Sequence, residues 1–158
     1  MDHDATMCRR RADRGLTLVE LMLVTTLVAV LGMLSVNAWG GWRDRVRTKV
    51  AVDEITAMSV VIDQTHTDTG ALPGSLADIG RGGMKDPWGN DYVYLNLTTA
   101  GGTGAARKDH SLVPLNSDYD LYSKGPDGAS VAPLTAAASH DDILRANNGR
   151  FIGPASSY

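Results

Sequence analysis

Arg14-Gly15-Leu16-Thr17-Leu18-Val19-Glu20-Leu21-Met22 is the stretch whose reading decides the fold. It opens a run from Leu16 to Trp39 in which Glu20 is the single ionisable residue. A membrane-crossing helix needs about 20 apolar residues, and this run is long enough. Arg9, Arg10, Arg11 and Arg14 precede it and favour a cytoplasmic N-terminus, while Arg43, Arg45, Arg47 and Lys49 beyond it weigh against that orientation. A signal peptide is the competing reading, but its apolar core is shorter, roughly 7–15 residues, and no clear A-x-A site follows. Cys8 has no apolar run before it, so a lipoprotein signal does not fit. Arg9-Arg10-Arg11 lacks the apolar pair of a twin-arginine signal.

Glu20 is the anomaly. A carboxylate within an apolar helix costs about 2.5–3.5 kcal/mol on insertion scales. Either it sits at the membrane interface or is protonated, or it meets a positive charge supplied by a bundle or another chain. The second reading is preferred, because an intramembrane acid is a functional candidate by default.

Helical spacing continues past the apolar run. Val46, Val50, Ala51, Ile55, Met58 and Ile62 recur at steps compatible with one helix face, with Arg47, Asp53, Glu54 and Asp63 between them. No proline occurs before Pro73. One helix is predicted from about Leu16 to about Thr67, on the order of 75–80 Å long at 1.5 Å per residue. Its first half is apolar all round and belongs in lipid or among other subunits. Its second half is amphipathic and packs on a domain of its own chain. Gly70, with Pro73 soon after, marks the stop.

The remainder predicts a small β domain, so the class is α+β. Asp86-Pro87-Trp88-Gly89-Asn90-Asp91 is dense in turn residues and feeds the strand-like Tyr92-Val93-Tyr94-Leu95. Ala100 to Ala106 is a glycine-rich loop. Tyr119 to Ser123 is a second strand, stopped by Gly125-Pro126-Asp127-Gly128. Asp141 is placed to cap a helix beginning at Ile143-Leu144, and the tail from Asn147 to Tyr158 is read as irregular.

Composition sets outer limits. The 158 residues carry 15 Lys and Arg against 18 Asp and Glu, a net charge of −3, which excludes a generally basic nucleic-acid binder. One cysteine excludes an intramolecular disulfide. Glu20 and Glu54 are the only glutamates; the other 16 acids are aspartates, the residue of caps, turns and metal loops. Asp127, Asp141 and Asp142, with Asp118 and Asp120 nearby, are hard oxygen donors of the kind calcium takes. Their spacing is not that of an EF-hand. Read from the residues alone, Asp127 belongs to a Pro-Asp-Gly turn and Asp141 to a cap. His66, His110 and His140 are widely spaced and read as surface residues. Ser123 and Ser130 lie in no nucleophile elbow, and Gly101-Gly102-Thr103-Gly104 lacks the lysine of a phosphate loop. Asn96-Leu97-Thr98 matches a glycosylation sequon of the kind common by chance. Trp39 and Trp42 suit a membrane interface, and Trp88 the β-domain core.

Residues 14–22 resemble the processing motif of type IV pilins and type II secretion pseudopilins: a basic leader, a Gly, an apolar residue, then a Glu five residues into the mature chain. Lys85-Asp86-Pro87-Trp88-Gly89-Asn90-Asp91-Tyr92-Val93-Tyr94 and Asp118-Tyr119-Asp120-Leu121-Tyr122-Ser123-Lys124-Gly125-Pro126-Asp127-Gly128, with the late Asp142-Ile143, are similar to the major pseudopilins, the general secretion pathway protein G family. The matched segments cover about two-thirds of the chain.

The resemblance implies a pilin-like fold. Residues 1–15 form a cytoplasmic leader, 16–39 a transmembrane or filament-core half-helix, and 40–158 a periplasmic domain that includes the second half of the helix. Prepilin peptidase would cut between Gly15 and Leu16, and the new amine would be methylated. Glu20 would pair with the N-terminal amine of a neighbouring subunit. Calcium would be held by the Lys124 carbonyl, Asp127, Asp141 and Asp142, tying a loop that has no cysteine to staple it. The implied protein is no enzyme but a subunit that leaves the bacterial inner membrane for a periplasmic filament. Its partners would be further copies of itself, minor pseudopilins, prepilin peptidase and the inner-membrane assembly platform, and no nucleic acid.

The sequence departs from the family in four places. Leu16 replaces the usual Phe. Asn37 stands where many members carry a helix-bending Pro, which implies a straighter helix. About twenty residues around Gly101 to Pro114 read as inserted, and the segments after Gly128 and Ile143 are long. Two alternatives stay open: a major or minor pilin of a related filament, and a membrane-anchored metallohydrolase with His140 and the acids around an ion.

Overall fold

The computed structural model of the chain describes residues 15–99 and 103–158. Residues 1–14, with Cys8 and the arginines up to Arg14, where the expected leader falls, lie outside the described residues, as do Ala100, Gly101 and Gly102. The chain divides into two units at Gly41/Trp42.

A single helix, α1, spans Leu18–Thr69, 52 residues. Gly15 to Thr17 precede it without regular structure. Thr17 starts it: its Oγ1 accepts the Glu20 N–H at 3.2 Å and its carbonyl accepts the Leu21 N–H at 3.1 Å. This satisfies donors that a helix start leaves orphaned. Gly70 ends it as expected. With φ of 77° it takes the left-handed conformation, and its N–H returns to the His66 carbonyl at 2.8 Å.

Within the first unit α1 is apolar and uncovered. Leu18 is 74% exposed, Met33 75% and Leu34 63%. The helix is long and apolar enough to cross a membrane.

In the second unit the expected stripe is present. Ala51, Ile55, Met58 and Ile62 are buried, and they meet Tyr92, Tyr119, Leu121 and Ile143 in one core. Steps of three and four residues put the four helix side chains on one face, and the sheet supplies the facing layer.

The sheet has four antiparallel strands in the order β1 (Val93–Asn96), β2 (Tyr119–Ser123), β3 (Ile143–Ala146), β4 (Phe151–Pro154). Val93 pairs with Tyr122, Tyr122 with Leu144, and Leu144 with Gly153. The first two strands lie where the sequence puts them. The last two correct it: Ile143 begins a strand rather than a helix, and the tail forms a strand and a short 3₁₀ turn at Ala155–Ser157 rather than irregular chain. The cause is tertiary. Ile143 faces the α1 core while Leu144 and Ala146 enter a second cluster with Leu115, Leu134 and Ala155. Alternation of this kind satisfies a strand buried on both faces.

That second cluster covers the face of the sheet away from α1, using Leu115, just past the segment read as an insertion, and Leu134 from the long connection after Gly128. Ala106 and Arg107 are buried rather than part of a loose loop. The Lys108 N–H donates to the Ala132 carbonyl at 3.0 Å, and the Leu134 N–H to the Lys108 carbonyl at 2.9 Å.

Candidate functional site

The residues singled out in the sequence fall in two places, one in each unit. Gly15, Leu16 and Glu20 stand at the start of α1. All three are exposed, Leu16 at 71%, and Gly15 and Leu16 lie outside the helix. The bond between them is therefore in accessible, non-helical backbone, the form a peptidase binds. Glu20 occupies the first turn of α1, where the positive end of the helix dipole stabilises a carboxylate. Thr17 escaped the sequence reading, although Thr-x-x-Glu ahead of an apolar run is itself a helix-start signature.

The second place is the connection from β2 to β3. The Asp86–Asp91 turn supports it from beneath. Asp86 Oδ1 accepts the Trp88 and Asn90 N–H groups at 3.0 and 2.8 Å, and its Oδ2 accepts the Ser123 hydroxyl at 2.6 Å. Asn90 Nδ2 then donates to the Gly125 carbonyl at 2.9 Å. Trp88 is half-buried against the α1 core.

Gly125 is required by a close approach. Its φ is 63°, and a Cβ there would stand 2.3 Å from the Asp141 carbonyl oxygen. Asp141 Oδ2 accepts the Asp127 N–H at 3.1 Å, and Asp127 Oδ1 accepts the Ala129 N–H at 2.8 Å. The loop from Lys124 to Asp127 and the Asp141 carboxylate are thus brought together.

Asp142 is engaged by other residues through one of its oxygens. Its side chain is buried, and Oδ2 takes the Arg107 guanidinium at 2.5 Å and the Ser130 hydroxyl at 2.7 Å. Its Oδ1 is buried without a hydrogen-bond partner. Burial pushes the Asp142 carboxyl above the usual carboxylate range, against the pull of Ser130 and Arg107. Asp127 and Asp141 offer the oxygens calcium takes, and Asp142 Oδ1 is a spare buried acceptor. Among the described residues, however, no three or more His, Cys, Asp or Glu side chains gather into a metal-holding group. His66, His110 and His140 are exposed. A cleft of about 540 Å³ beside the loop is lined by Asp44, Trp88, His140 and Asp141 among others.

Arg107 and Ser130 were not legible as site residues. Nothing in the local pattern around Arg107 marks it; its partners lie 13 to 35 residues away.

A long N-terminal helix packed through its second half on a small antiparallel sheet defines an α+β, pilin-like protein. The comparisons narrow the class. The chain is 31% identical to the type II secretion system core protein G of Escherichia coli strain K12 over 137 residues, 73% of this chain and 83% of that protein. It is 28% identical to the protein of the same name from Pseudomonas aeruginosa, over 76% of this chain and 88% of that one. A third, from Xanthomonas campestris pv. campestris, is 29% identical over 75% and 82%. No family model matches, and no solved structure matches. The chain belongs to the type II secretion system core protein G family, the major pseudopilins, whose role is structural.

Proposed function

We propose that this chain is made with residues 1–15 as a cytoplasmic leader, is cut between Gly15 and Leu16 by prepilin peptidase and methylated on Leu16, and then polymerises from the inner membrane into a periplasmic pseudopilus. The observation that carries this reading is the join of an uncovered apolar half-helix to a compact unit with its own buried core. Apolar side chains exposed over a contiguous surface mark a membrane or partner interface. Residues 16–39 therefore lie in the bilayer first and among the helices of other subunits afterwards, with residues 40–158 periplasmic.

Glu20 supplies register. In a dry bundle a lone carboxylate is costly, and an N-terminal amine of the next subunit removes that cost. Neighbouring copies, minor pseudopilins, prepilin peptidase and the inner-membrane assembly platform are the partners this implies. The work is mechanical, with no turnover at this chain. Calcium bound by the Lys124 carbonyl, Asp127, Asp141 and Asp142 would neutralise the acids of the β2–β3 connection and tie it down. The oxygen chemistry of the loop and the spare Asp142 Oδ1 support that assignment.

The test is the intact mass of the protein from membranes of cells with and without prepilin peptidase. A mass of residues 16–158 plus one methyl group, seen only with the peptidase, is the expected result. An uncleaved chain, or one cut beyond Trp39, would refute the reading.

A further inference from the structure

We propose that the Arg107 guanidinium is a built-in counter-cation: it neutralises Asp142 and joins both ends of the 130–142 segment, so that the outer face of the sheet keeps its fold with no calcium bound. This goes beyond the calcium assignment and stands whether or not the ion binds.

The geometry is that of a clamp. Arg107 is 2% exposed; a buried guanidinium needs its charge met, and here Nη1 and Nη2 find partners while Nε is buried without one. Nη2 donates to Asp142 Oδ2 at 2.5 Å, at the end of the segment. Nη1 donates to the Ser130 hydroxyl and, at 2.9 Å, to the Val131 carbonyl, at its beginning. Ser130 closes the triangle by donating to the same Asp142 oxygen at 2.7 Å. The main chain of Arg107 is fixed as well, its N–H donating to the buried Asp120 at 2.7 Å. The guanidinium lies 4.4 Å from the centroid of the Tyr122 ring, on the neighbouring strand.

A bound divalent ion would bring positive charge to a cluster of acids and bridge groups far apart in sequence. Arg107 does both with covalent permanence, since a guanidinium stays charged at any working pH. It arrives on the Gly101–Pro114 segment that reads as inserted. Asp127, Asp141 and the second oxygen of Asp142, Oδ1, remain outside this clamp and free to take an ion, which then adds to the fold without being a condition of it.

The experiment is hydrogen exchange, followed by mass spectrometry, on the full chain in detergent micelles in excess chelator. Calcium affinity is measured separately by calorimetry. In chelator, peptides spanning 130–142 of the unaltered chain should be protected. R107Q should lose roughly tenfold or more of that protection while α1 peptides keep theirs. The pair R107Q with D142N, which removes both charges, should recover it, because a neutral pair leaves no uncompensated buried charge. If R107Q alone fails to fold, the double variant decides: folded and protected in chelator supports the clamp, unfolded overturns it. Loss of protection in the unaltered chain on chelation, or R107Q leaving protection unchanged, also overturns it. Absence of calorimetric calcium binding with protection intact would remove the calcium assignment and leave the clamp standing.

Discussion

The two faces of one sheet are held by different physics. Against α1, the inner face is a continuous apolar layer: Tyr119, Leu121 and Ile143 pack on Ile55, Met58 and Ile62, with Trp88, Leu72, Leu76 and Ile152 around the edge. Polar atoms enter it where tyrosine hydroxyls reach helix carboxylates, Tyr92 to Glu54 at 2.5 Å and Tyr119 to Asp63 at 3.0 Å, and where the buried Arg145 guanidinium, paired with Asp118, lies 3.9 Å from the centroid of the Tyr119 ring. The outer face has a smaller cluster, Leu115, Leu134, Leu144, Ala146 and Ala155, and is completed by charge: Arg107 with Asp142, and Asp120 with Asn116. A helix offers enough apolar area to close a face by burial alone. A long loop does not, and its backbone must be anchored by side chains. The inner face is thus stabilised mainly by area, the outer by specific pairs.

The largest expected effect tests the first half of that contrast. I55A should destabilise the second unit by about 3–4 kcal/mol, and L144A by about 2–3, since large-to-small core changes cost about 2–5 kcal/mol and a smaller cluster relaxes more readily around the cavity. Denaturant midpoints of the full chain in micelles measure both. An equal or inverted order would break the distinction. A smaller effect sharpens it at the margin. Y92F removes a hydroxyl that burial, and then Glu54, hold well above its ordinary pKa of 10. It should cost about 1 kcal/mol, the usual worth of one hydrogen bond. A loss as large as that of I55A would mean that polar pins, not area, hold the inner face.

Legibility follows the same line. The helix, its stop at Gly70 and the stripe from Ala51 to Ile62 were readable because periodicity is a local signal. So were Tyr119–Ser123, a compact run of strand-forming residues, and the Asp86–Asp91 turn, where Asp86 Oδ1 takes the Trp88 and Asn90 N–H groups within the turn itself. Ile143–Ala146 misled because Asp141-Asp142 mimics a cap, and the strand exists only through pairing with Tyr122 and Gly153. Arg107 was invisible for the same reason: its meaning lies in Ser130, Val131 and Asp142. At the N-terminus a motif singles out Gly15, Leu16 and Glu20 as the expected site, and Thr17, which starts α1, was available through its helix-start pattern. Of the acidic connection, Asp127 and Asp141 do come together, but the partner of Asp142 lay beyond local reading.

The smallest expected effect is a pH dependence that separates a carboxylate pinned at the start of a central strand from those sealed under the outer face. Burial raises the Asp118 carboxyl, but the two-pronged Arg145 pair at 2.8 and 2.7 Å and the Tyr119 N–H outweigh it, so its pKa lies below the ordinary 3.8. A depressed folded-state pKa means the unfolded chain binds the proton first. The stabilisation from Asp118 is therefore complete above about pH 4 and is lost as pH falls through the lower, folded value. Asp120 and Asp142 carry the opposite sign, because burial raises their carboxyls, and they favour the folded state as acid protonates them. The clean measurement is a difference: Tm against pH for the unaltered chain minus that for D118N. That difference should be constant near neutrality and shrink on acidification below pH 4, as protonation of Asp118 leaves the unaltered chain no better than the variant. A difference that grows in acid would show that Arg145 draws its counter-charge from another carboxylate, and the Asp118–Arg145 pair would lose its place in the contrast.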